Sequence, residues 1–380
     1  MRIILVVIDG LGDELIPELN NKTPLQAAFT PYFDKMAENG TTGFVLPFFE
    51  KGHLPTSEDT HLALFGYEPE KYNPGRGVFE VLGNGMKPKT GDVCLRGNFA
   101  TINKQGKIID RRACRIENTE TLVKAINNIK IEGVKFIVKK AVAHRIGIIM
   151  RCRGLSPKIS TGDPKKSGVK PLKILPKESS GKAIFTARVL NEFLEKTHLI
   201  LKNQPLNKRR KLPANYLLVR GAGSLKNIPS FQEKYGLKAA CIAGGALYKG
   251  IGKALGMDLI NVKGANALPT TNLKGKFLAA KKALGKYGFV FCHIKAVDNL
   301  AEDGKYREKK EFIEKIDKNL KPLLGLKDVL VVITGDHATC SLLKRHCLKP
   351  VPLIIYGAKK GVLGKIEQIR LMPEILTLIR

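Results

Sequence analysis

The sequence predicts an α/β fold, in which helices cover a mainly parallel sheet, with a second, α+β domain inserted into the chain. Three observations predict this fold. Short apolar runs recur without polar alternation, helical patterns lie between them, and the middle of the chain changes to short alternating runs with basic loops. Continuous apolar runs are typical of strands that are buried on both faces, as they are in a parallel sheet.

Seven runs rich in small and aliphatic residues are predicted as strands. They span residues 3–9, 215–221, 238–244, 258–262, 289–295, 329–336 and 351–357. Thr-Pro pairs at Thr23 and Thr30 predict two helix starts, because threonine can cap a helix and proline suits its first position. Asn39 and Gly40 predict the end of the second helix. Residues 308–325 space their apolar side chains along one helix face and predict a further helix.

The middle of the chain predicts a separate domain. Residues 87–226 mix alternating runs such as "GKIIDRRACRIE" with basic loops, which indicates an α+β domain with a mixed sheet. We therefore expect a discontinuous core formed by residues 1–86 and 227–380, with residues 87–226 inserted as a lid. A chain of 380 residues is long enough for two domains with buried cores.

The composition predicts a soluble protein. Hydrophobic residues make up 43% of the chain, which is typical of a globular protein. No apolar run reaches the roughly 18 residues of a membrane span, and the apolar start "MRIILVVIDG" is too short for a signal peptide. We expect a cytoplasmic protein without a membrane partner. Seven cysteines without a CxxC pair give little support to a zinc ribbon or a disulfide framework, so most are expected to be small buried side chains.

The net charge of +31 is the most unusual bulk property. A field of this sign attracts anions, so the candidate partners are nucleic acid and small phosphorylated or carboxylated metabolites. The alternative is a solvated lysine-rich surface, because the basic residues are spread along the chain. The densest cluster, residues 202–211, has the pattern of an exposed loop.

Three aspartates follow predicted strands. Asp9 ends "VVID", Asp298 ends "VFCHIKAVD" and Asp336 ends "VVITGD". The carboxyl ends of parallel strands meet at one edge of the sheet, so the three carboxylates are expected to lie together. They would repel each other unless a cation neutralised them, which predicts a metal cluster. Side chains that can complete the cluster are Glu302, one helical turn after Asp298, and His337 and His346.

Each member of this cluster also has a structural interpretation. Asp-Gly after a strand is commonly a turn, so Asp9 alone is more often structural. A single histidine such as His346 is compatible with a surface or core position, and His293, inside a strand, is predicted as a satisfied core histidine. Adjacent Asp336 and His337 are the stronger signal. The combination of residues, rather than any one of them, predicts the metal site.

The segment "LPTSEDTHLALFGYEP", residues 54–69, enters a helix near Ser57. A serine at a helix N-terminus is commonly a cap. The same position lies beside free backbone N–H groups and the positive end of the helix dipole, where phosphate binds. A metal nearby would also turn the serine hydroxyl into a nucleophile. Both interpretations stay open from these residues alone.

Nine motifs occur in order along nearly the whole chain: "VVIDGLGD", "TSEDTHLALFGYEPEKYNPGRGVFE", "GNFAT", "DRRACRIE", "RGAG", "KYGLKAACIAGGALYKGIGKALGMD", "HIKAVDNLAEDG", "TGDHATCS" and "HCLKPVPLIIYG". Together they resemble the archaeal-type cofactor-independent phosphoglycerate mutases of the alkaline phosphatase superfamily. The resemblance implies an alkaline-phosphatase-like three-layer core with an inserted substrate-binding domain. It also implies interconversion of 3-phosphoglycerate and 2-phosphoglycerate through a phosphoserine, with two divalent metal ions and without bisphosphoglycerate.

The resemblance assigns roles to residues by motif. The catalytic residues would be Ser57 as the nucleophile, Lys249 beside the transferred phosphoryl group and Asp163 as the group that moves a proton. One metal would be held by Asp9, Ser57, Asp336 and His337, and the other by Asp298, Glu302 and His346. The substrate would be bound by Lys249 and by residues of the insert, namely Asn98, Asp110, Arg111, Arg112, Arg115, His144, Arg145 and Arg220.

The sequence departs from the family pattern at the second metal. Glu302 stands where the family usually has histidine, and a carboxylate favours harder ions such as Mn²⁺ or Mg²⁺ over Zn²⁺. Manganese is therefore the expected ion, with magnesium, cobalt and zinc as alternatives. The residues between Ser57 and His61 also differ from the commoner pattern, and a Gly-rich segment before the last helix is reduced. The residues do not predict the oligomeric state.

Two alternative functions stay open from the sequence. A phosphatase or another phosphomutase would use the same core, but the arginines of the insert favour a substrate with both a carboxylate and a phosphate. A mutase also needs the insert to exclude water, because water would hydrolyse the phosphoserine. A basic nucleic-acid-binding protein is the alternative from another class, and it would need neither Ser57 nor the acidic cluster.

Overall fold

The computed structural model describes residues 1–49 and 53–378. The chain forms two compact units, the first from Met1–Asn73 with Ile228–Arg380 and the second from Pro74–Asn227. The predicted division at residues 86 and 87 gave the helix Arg76–Gly83 to the core. The structure places this helix in the second unit, where it packs on strands of that unit. Within the described ranges, no helix has both the length and the apolar character needed to span a membrane.

Strands and helices alternate through both units. The strands are β1 (Arg2–Ile8), β2 (Gly40–Leu46), β3 (Val93–Ile102), β4 (Ile108–Asp110), β5 (Lys130–Ile131), β6 (Val134–Lys140), β7 (Arg145–Arg151), β8 (Tyr216–Gly223), β9 (Ala239–Ile242), β10 (Asp258–Leu259), β11 (Phe289–Ile294), β12 (Val329–Thr334), β13 (Ala338–Cys340), β14 (Arg345–Cys347), β15 (Val351–Tyr356) and β16 (Gly361–Glu367). The α-helices are α1 (Pro24–Ala27), α2 (Pro31–Glu38), α3 (Ser57–Leu64), α4 (Pro69–Tyr72), α5 (Arg76–Gly83), α6 (Glu120–Ile126), α7 (Gly181–Lys202), α8 (Pro205–Lys208), α9 (Phe231–Tyr235), α10 (Ala246–Ala254), α11 (Leu273–Ala283), α12 (Ala296–Glu302), α13 (Tyr306–Asn319) and α14 (Leu371–Thr377).

The first unit is built on an eight-stranded sheet with the order β10-β9-β11-β1-β12-β15-β2-β16. The strands from β10 to β12 run parallel to each other, β15 is antiparallel to both of its neighbours, and β16 is parallel to β2. The predicted α/β class with a mainly parallel sheet is confirmed. The run at 351–357, which the sequence predicts as a strand of the parallel sheet, is antiparallel as β15 and buries only alternate residues.

The helices of the first unit follow their predicted start and stop signals in most cases. Thr23 caps α1 in a capping box, whereas the side chain of Thr30 makes no capping hydrogen bond to α2. Helix α2 nevertheless starts with proline and ends just before Gly40, as predicted. Helix α13 packs its apolar face on the core that surrounds β1. It ends at Asn319 rather than at 325, because Pro322 lacks the N–H that would continue an α-helix.

The second unit contains a six-stranded sheet. Five of its strands have the order β4-β3-β7-β6-β5, and the sixth, β8, pairs with β3. All of its recorded pairings are antiparallel, so the prediction of a mixed sheet is wrong. The predicted strand 215–221 lies here as β8. Helix α7 covers the sheet, with Phe193 stacked on Phe136 at a ring separation of 3.9 Å.

A disulfide closes the small hairpin of β13 and β14 in the first unit. Cys340 and Cys347 are bonded, and they are separated by seven positions in sequence. The prediction that gave a disulfide little support is wrong for this pair, because the cysteines meet across a hairpin rather than in a CxxC motif. Three of the other cysteines are free and buried as predicted: Cys94, Cys241 and Cys292.

Removing this disulfide should lower the free energy of unfolding. We expect the double variant Cys340→Ser/Cys347→Ser to lose about 2 kcal/mol, because a closed loop of this length restricts the unfolded chain. Urea unfolding under non-reducing conditions measures the change. Cys114→Ser, at an exposed free cysteine, is the matched control and should unfold like the unaltered chain. Equal unfolding curves for the double variant and the control would contradict the prediction.

Candidate active site

Three aspartates lie at the carboxyl ends of the central strands of the first unit. β1 pairs in parallel with β11 on one side and with β12 on the other. Asp9 follows β1, Asp336 follows β12, and Asp298 lies in α12, the helix after β11. All three side chains are fully buried. The structure therefore brings these residues together at the edge of the sheet where the sequence predicted a cluster.

Asp9, Asp336 and His337 form a first group of potential metal ligands, with donor atoms within 4.8 Å of one another. His337 Nε2 lies 3.3 Å from Asp336 Oδ2 and 3.7 Å from Asp9 Oδ1. Burial raises the pKa of Asp336 to about 7, and the carboxylate of Asp9 adds to this effect. The crowding of two buried carboxylates indicates a place that favours a cation.

The hydrogen bonds around His337 indicate which of its nitrogens is free. Thr339 donates its hydroxyl proton to Asp298 Oδ1 at 2.6 Å, so its oxygen can accept from His337 Nδ1 at 3.3 Å. Burial and the neighbouring His346 lower the pKa of His337 to about 3, so the ring is neutral. Nε2 then carries a lone pair. Nε2 and Asp336 Oδ2 are both buried without a hydrogen-bond partner among the described residues, which fits a divalent cation.

A second ligand group shares His337 with the first. It consists of Asp298, His337 and His346. His346 Nε2 lies 3.4 Å from Asp298 Oδ1, and its ring stacks on that of His337 at 3.7 Å. Burial would lower the pKa of His346, but the hydrogen bond and charge of Asp298 outweigh it and raise the pKa to about 9. A cation bound here would have to displace a proton from His346.

Lys295 links the two ligand groups and is a site residue that the sequence did not predict. Its ammonium lies 3.1 Å from Asp9 Oδ1 and 2.5 Å from Asp298 Oδ2. Burial alone would raise the pKa of Asp9, but Lys295 outweighs it and holds this pKa well below its usual range. Lys295 therefore neutralises part of the negative charge of the cluster.

Two further histidines touch the cluster. His293 Nε2 lies 3.0 Å from Asp9 Oδ2, and the ring stacks on Tyr248 at 3.5 Å. His293 is thus a buried strand residue, as predicted, but its partner is a candidate metal ligand. His61 Nδ1 donates to the carbonyl of Ser57 at 2.7 Å and lies 3.4 Å from Asp336 Oδ2. The hydrogen bond of His293 helps to fix Asp9, whereas His61 lies beside Asp336 without a hydrogen bond to it.

Ser57 is the first residue of α3. Residues just before it and just after it in the chain contact the two ligand groups. Thr56, not Ser57, caps the helix by accepting the N–H of Asp59. Two residues before Ser57, the carbonyl of Pro55 accepts a hydrogen bond from His346 Nδ1 at 2.6 Å. Four residues after Ser57, His61 Nδ1 lies 3.4 Å from Asp336 Oδ2. The start of α3 is therefore tied to both ligand groups, and Ser57 itself is buried.

The second unit carries a carboxylate held by two arginines. Arg111 donates Nε and Nη2 to the two oxygens of Asp163 at 3.0 and 2.8 Å, and Arg220 Nη1 lies 3.6 Å from Asp163 Oδ2. Burial would raise the pKa of Asp163, but these hydrogen bonds and the N–H of Lys165 lower it. Asp163 is therefore ionised at neutral pH and can accept a proton rather than donate one.

Buried polar atoms lie close to a group of arginines in the same unit. Asn98 on β3 stands opposite Arg145 on β7. Asn98 Oδ1 and His144 Nδ1 are buried and have no hydrogen-bond partner in the described part of the chain. Burial lowers the pKa of His144 to about 3, and nearby positive charge adds to this effect, from Arg145, Arg112, Arg96 and Arg115. A neutral histidine beside several cations suits the binding of an anion.

Asp110 shapes the turn that carries three of the predicted arginines. Its carboxylate accepts the backbone N–H groups of Arg112 and Cys114, both at 2.7 Å. The residues from Ala113 to Arg115 have positive φ angles, which a short polar side chain can support by bonding the turn. The geometry of Asp110 is thus that of a structural residue, and the arginines beside it remain candidates for substrate contacts.

Comparison with known proteins shows the family of the chain. A family model described as 2,3-bisphosphoglycerate-independent phosphoglycerate mutase matches residues 37–207. A protein of this name from Methanococcus aeolicus is 44% identical over 364 residues, which are 94% of this chain and 89% of the relative. The chain belongs to the 2,3-bisphosphoglycerate-independent phosphoglycerate mutase family.

Other members of this mutase family match over the same extent. A 2,3-bisphosphoglycerate-independent phosphoglycerate mutase 1 from Archaeoglobus fulgidus is 43% identical over 366 residues, covering 93% of this chain and 88% of its own. Among solved structures, the PH0037 protein from Pyrococcus horikoshii has a TM-score of 0.84 and 31% identity over 100% of this chain and 97% of that one. The cofactor-independent phosphoglycerate mutase from Thermoplasma acidophilum has a TM-score of 0.69 and 36% identity, with full coverage of both chains. The resemblance stated from the motifs is confirmed.

In this member of the mutase family, Glu302 lies outside both ligand groups. Its carboxylate is 4.0 Å from His346 Nε2, and 52% of its side chain is exposed. The second metal group predicted from the resemblance pairs Asp298 and His346 with Glu302. The donor atoms that lie within 4.8 Å of one another here are those of Asp298, His337 and His346, and a role for Glu302 stays a prediction. Lys249 lies in the first turn of α10, directly after Tyr248, and is partly buried. Among the described residues, no ion pair joins it to the cluster.

The sequence spacing of this mutase could have indicated two of the site residues that were not predicted, Lys295 and His61, but not Arg96. Lys295 precedes Asp298 by three positions, which places both on one face of α12. His61 follows Ser57 by four positions, so it lies one helical turn further along α3. In the second unit, Arg96 is buried and donates to Glu80 at 3.2 Å, although its place in the strand "VCLRGNFATI" gave it no partner in sequence.

Proposed function

We propose that the chain interconverts 3-phosphoglycerate and 2-phosphoglycerate through a phosphoserine at Ser57, with two divalent ions and without bisphosphoglycerate. The observation that carries the proposal is the pair of ligand groups that share His337 at the strand ends of the first unit. The contacts of His61 and of the Pro55 carbonyl, which tie the start of α3 to these groups, support Ser57 as the nucleophile. Membership in the mutase family supports the same reaction.

The ligand groups would hold the ions. Asp9, Asp336 and His337, with Ser57 beside them, would hold one, and Asp298 and His346 would hold the other. Carboxylates and imidazoles without a thiolate suit Mn²⁺, which we propose as the ion, with Mg²⁺ as the alternative. When bound, the ions would supply positive charge for the phosphoryl oxygens and lower the pKa of a nearby hydroxyl.

Ser57 is well placed to carry a phosphoryl group. It starts α3, where backbone N–H groups lack partners inside the helix and the positive end of the helix dipole lies. These features would stabilise the negative charge of a phosphoserine. We propose that Lys249 adds a positive charge to the same phosphoryl group, and that Lys295 keeps Asp9 and Asp298 in place by its two ion pairs.

The second unit would bind glycerate and move its proton. Asp163 is ionised at neutral pH, so we propose that it accepts the proton of the glycerate hydroxyl that takes the phosphoryl group back from Ser57. Arg111 and Arg220 would hold this carboxylate in orientation. The carboxylate and phosphate of the substrate would be bound by the polar groups of this unit, namely Asn98, Arg112, Arg115, His144 and Arg145.

A coupled assay tests the proposed reaction. We expect conversion of 3-phosphoglycerate to 2-phosphoglycerate without added bisphosphoglycerate. Removal of metal with a chelator should lower the rate by at least about a hundredfold, and Mn²⁺ should restore it, because the ions stabilise the transferred charge. Free phosphate is measured in the same samples. Release of phosphate without formation of 2-phosphoglycerate would overturn the mutase proposal in favour of a phosphatase, and the absence of both reactions would overturn either activity.

A further inference from the structure

Lys309 is a fully buried lysine that takes no part in the ligand groups. It lies on α13, and its ammonium lies within hydrogen-bonding distance of four oxygen atoms. These are the carbonyls of Gly10 at 2.8 Å, Gly12 at 3.1 Å and Thr339 at 3.1 Å, and Asp13 Oδ2 at 2.7 Å. Buried lysines are rare, and one with this many acceptors fixes the segments that provide them.

The four oxygens belong to the two segments that carry the first ligand group. Gly10, Gly12 and Asp13 lie directly after Asp9, and Thr339 lies two residues after His337. Asp13 extends the network, because its carboxylate also accepts the N–H of Ser341 at 2.9 Å and its hydroxyl at 2.5 Å. Lys309 therefore joins the loop after β1 to the segment after β12 at a single buried point.

The two segments meet closely where this network holds them. Thr339 donates its N–H to the carbonyl of Gly12 at 3.0 Å. Gly10 has a φ of +69°, and a Cβ there would lie 2.7 Å from Thr339 Oγ1 and 2.8 Å from the Cα of Asp298. Only glycine allows this approach. A small displacement of either segment would therefore move Thr339, which bonds both Asp298 and His337.

We infer that Lys309 is a positioning residue for both ligand groups. Lys309 sets the affinity of these groups for metal ions without touching the metal or the substrate. The inference rests on the proposed function, because it requires that the groups bind divalent ions. Its physical basis is that ligand atoms bind a cation well only when their supporting contacts hold them in the required geometry. Lys309 supplies such contacts to Asp9 and His337 through the backbone that follows each of them.

The alternative is that Lys309 and Asp13 form an ion pair that only stabilises the fold. The double variant Lys309→Met/Asp13→Asn distinguishes a positioning role from a purely stabilising one, because it removes both charges and leaves no unpaired charge in the core. Met keeps the apolar stem, and Asn keeps an acceptor for the Ser341 N–H. Lys310→Met is the matched control, since Lys310 is the next residue of α13 and pairs with Glu314 near the surface.

Calorimetric titration of chelator-treated protein with Mn²⁺, at a temperature well below each unfolding midpoint, measures the effect. We expect the unaltered chain and Lys310→Met to bind with equal affinity, and the folded double variant to bind about 10- to 100-fold more weakly. Equal affinity in a folded double variant would overturn the inference alone. An unaltered chain that binds no divalent ion would overturn the proposed function, and the inference with it.

Ser341→Ala provides the test if the double variant does not fold. It keeps the Lys309–Asp13 ion pair and removes one of the bonds that hold Asp13. We expect a smaller loss of Mn²⁺ affinity, about threefold, because the other supporting contacts persist. Unchanged affinity in Ser341→Ala would overturn the inference in that case.

Discussion

Ser57→Ala should abolish mutase turnover, with a fall of at least about a thousandfold, because the variant has no oxygen to carry the phosphoryl group. The metal sites should survive, since Asp9, Asp336 and His337 keep their own contacts. Calorimetry should therefore still detect Mn²⁺ binding in the variant. Acid quenching of a reaction with phosphate-labelled substrate should trap label on the unaltered protein and none on the variant.

Ser230→Ala is the matched control for this experiment. Ser230 also stands at a helix N-terminus in the first unit, where it caps α9 by accepting the N–H of Glu233. Its replacement should cost about 1 kcal/mol of stability, as is usual for a lost cap, and leave turnover unchanged. Retention of more than about a tenth of the turnover in Ser57→Ala would reject Ser57 as the nucleophile, because removal of a true nucleophile costs far more.

The parts of the fold that could be predicted are the strands with both faces buried, because such strands require apolar residues at nearly every position. The central strands β1, β11 and β12 are apolar at nearly every position because both faces are buried, and all three were found. β16 was missed because it lies at the sheet edge and most of its residues are exposed, so its sequence carries no apolar pattern. The boundary of the second unit was also misplaced, because α5 belongs to this unit through its packing on β3, β7 and β8, which only the folded structure shows.

The site residues that could be predicted are those that follow the ends of parallel strands, because these ends meet at one edge of the sheet. Asp9, Asp298 and Asp336 follow from parallel pairing of adjacent strands, which is a property of the fold class. Lys295 and Lys309 could not be found by the same reasoning, because lysine is normally a surface residue. Only tertiary contacts show that Lys309 is fully buried and that Lys295 pairs with two buried aspartates. A weaker signal for Lys309 exists, since it lies three and four positions before Phe312 and Ile313 on the apolar face of α13.

Mutation of Asp298 should weaken metal binding far more than mutation of Glu302. We expect Asp298→Asn to lower the affinity for one of two Mn²⁺ ions by at least about a hundredfold, because it removes a buried carboxylate from the ligand group. That carboxylate faces His346, accepts from Thr339 and pairs with Lys295. Glu302→Gln should cost about tenfold or less. Calorimetric titration with Mn²⁺ and turnover at saturating Mn²⁺ measure both variants.

The difference in Mn²⁺ affinity between Asp298→Asn and Glu302→Gln decides which residues complete the second ligand group. Glu302 is half exposed, and its carboxylate lies at the edge of the group, so the loss of its charge is expected to act mainly through the local field. Asp303→Asn, at the neighbouring position after the end of α12, controls for the loss of one negative charge in this region. If Glu302→Gln weakens one site as much as Asp298→Asn does, Glu302 must turn inward to bind the ion. In that case Glu302 is a ligand of the second ion, as the family resemblance implies.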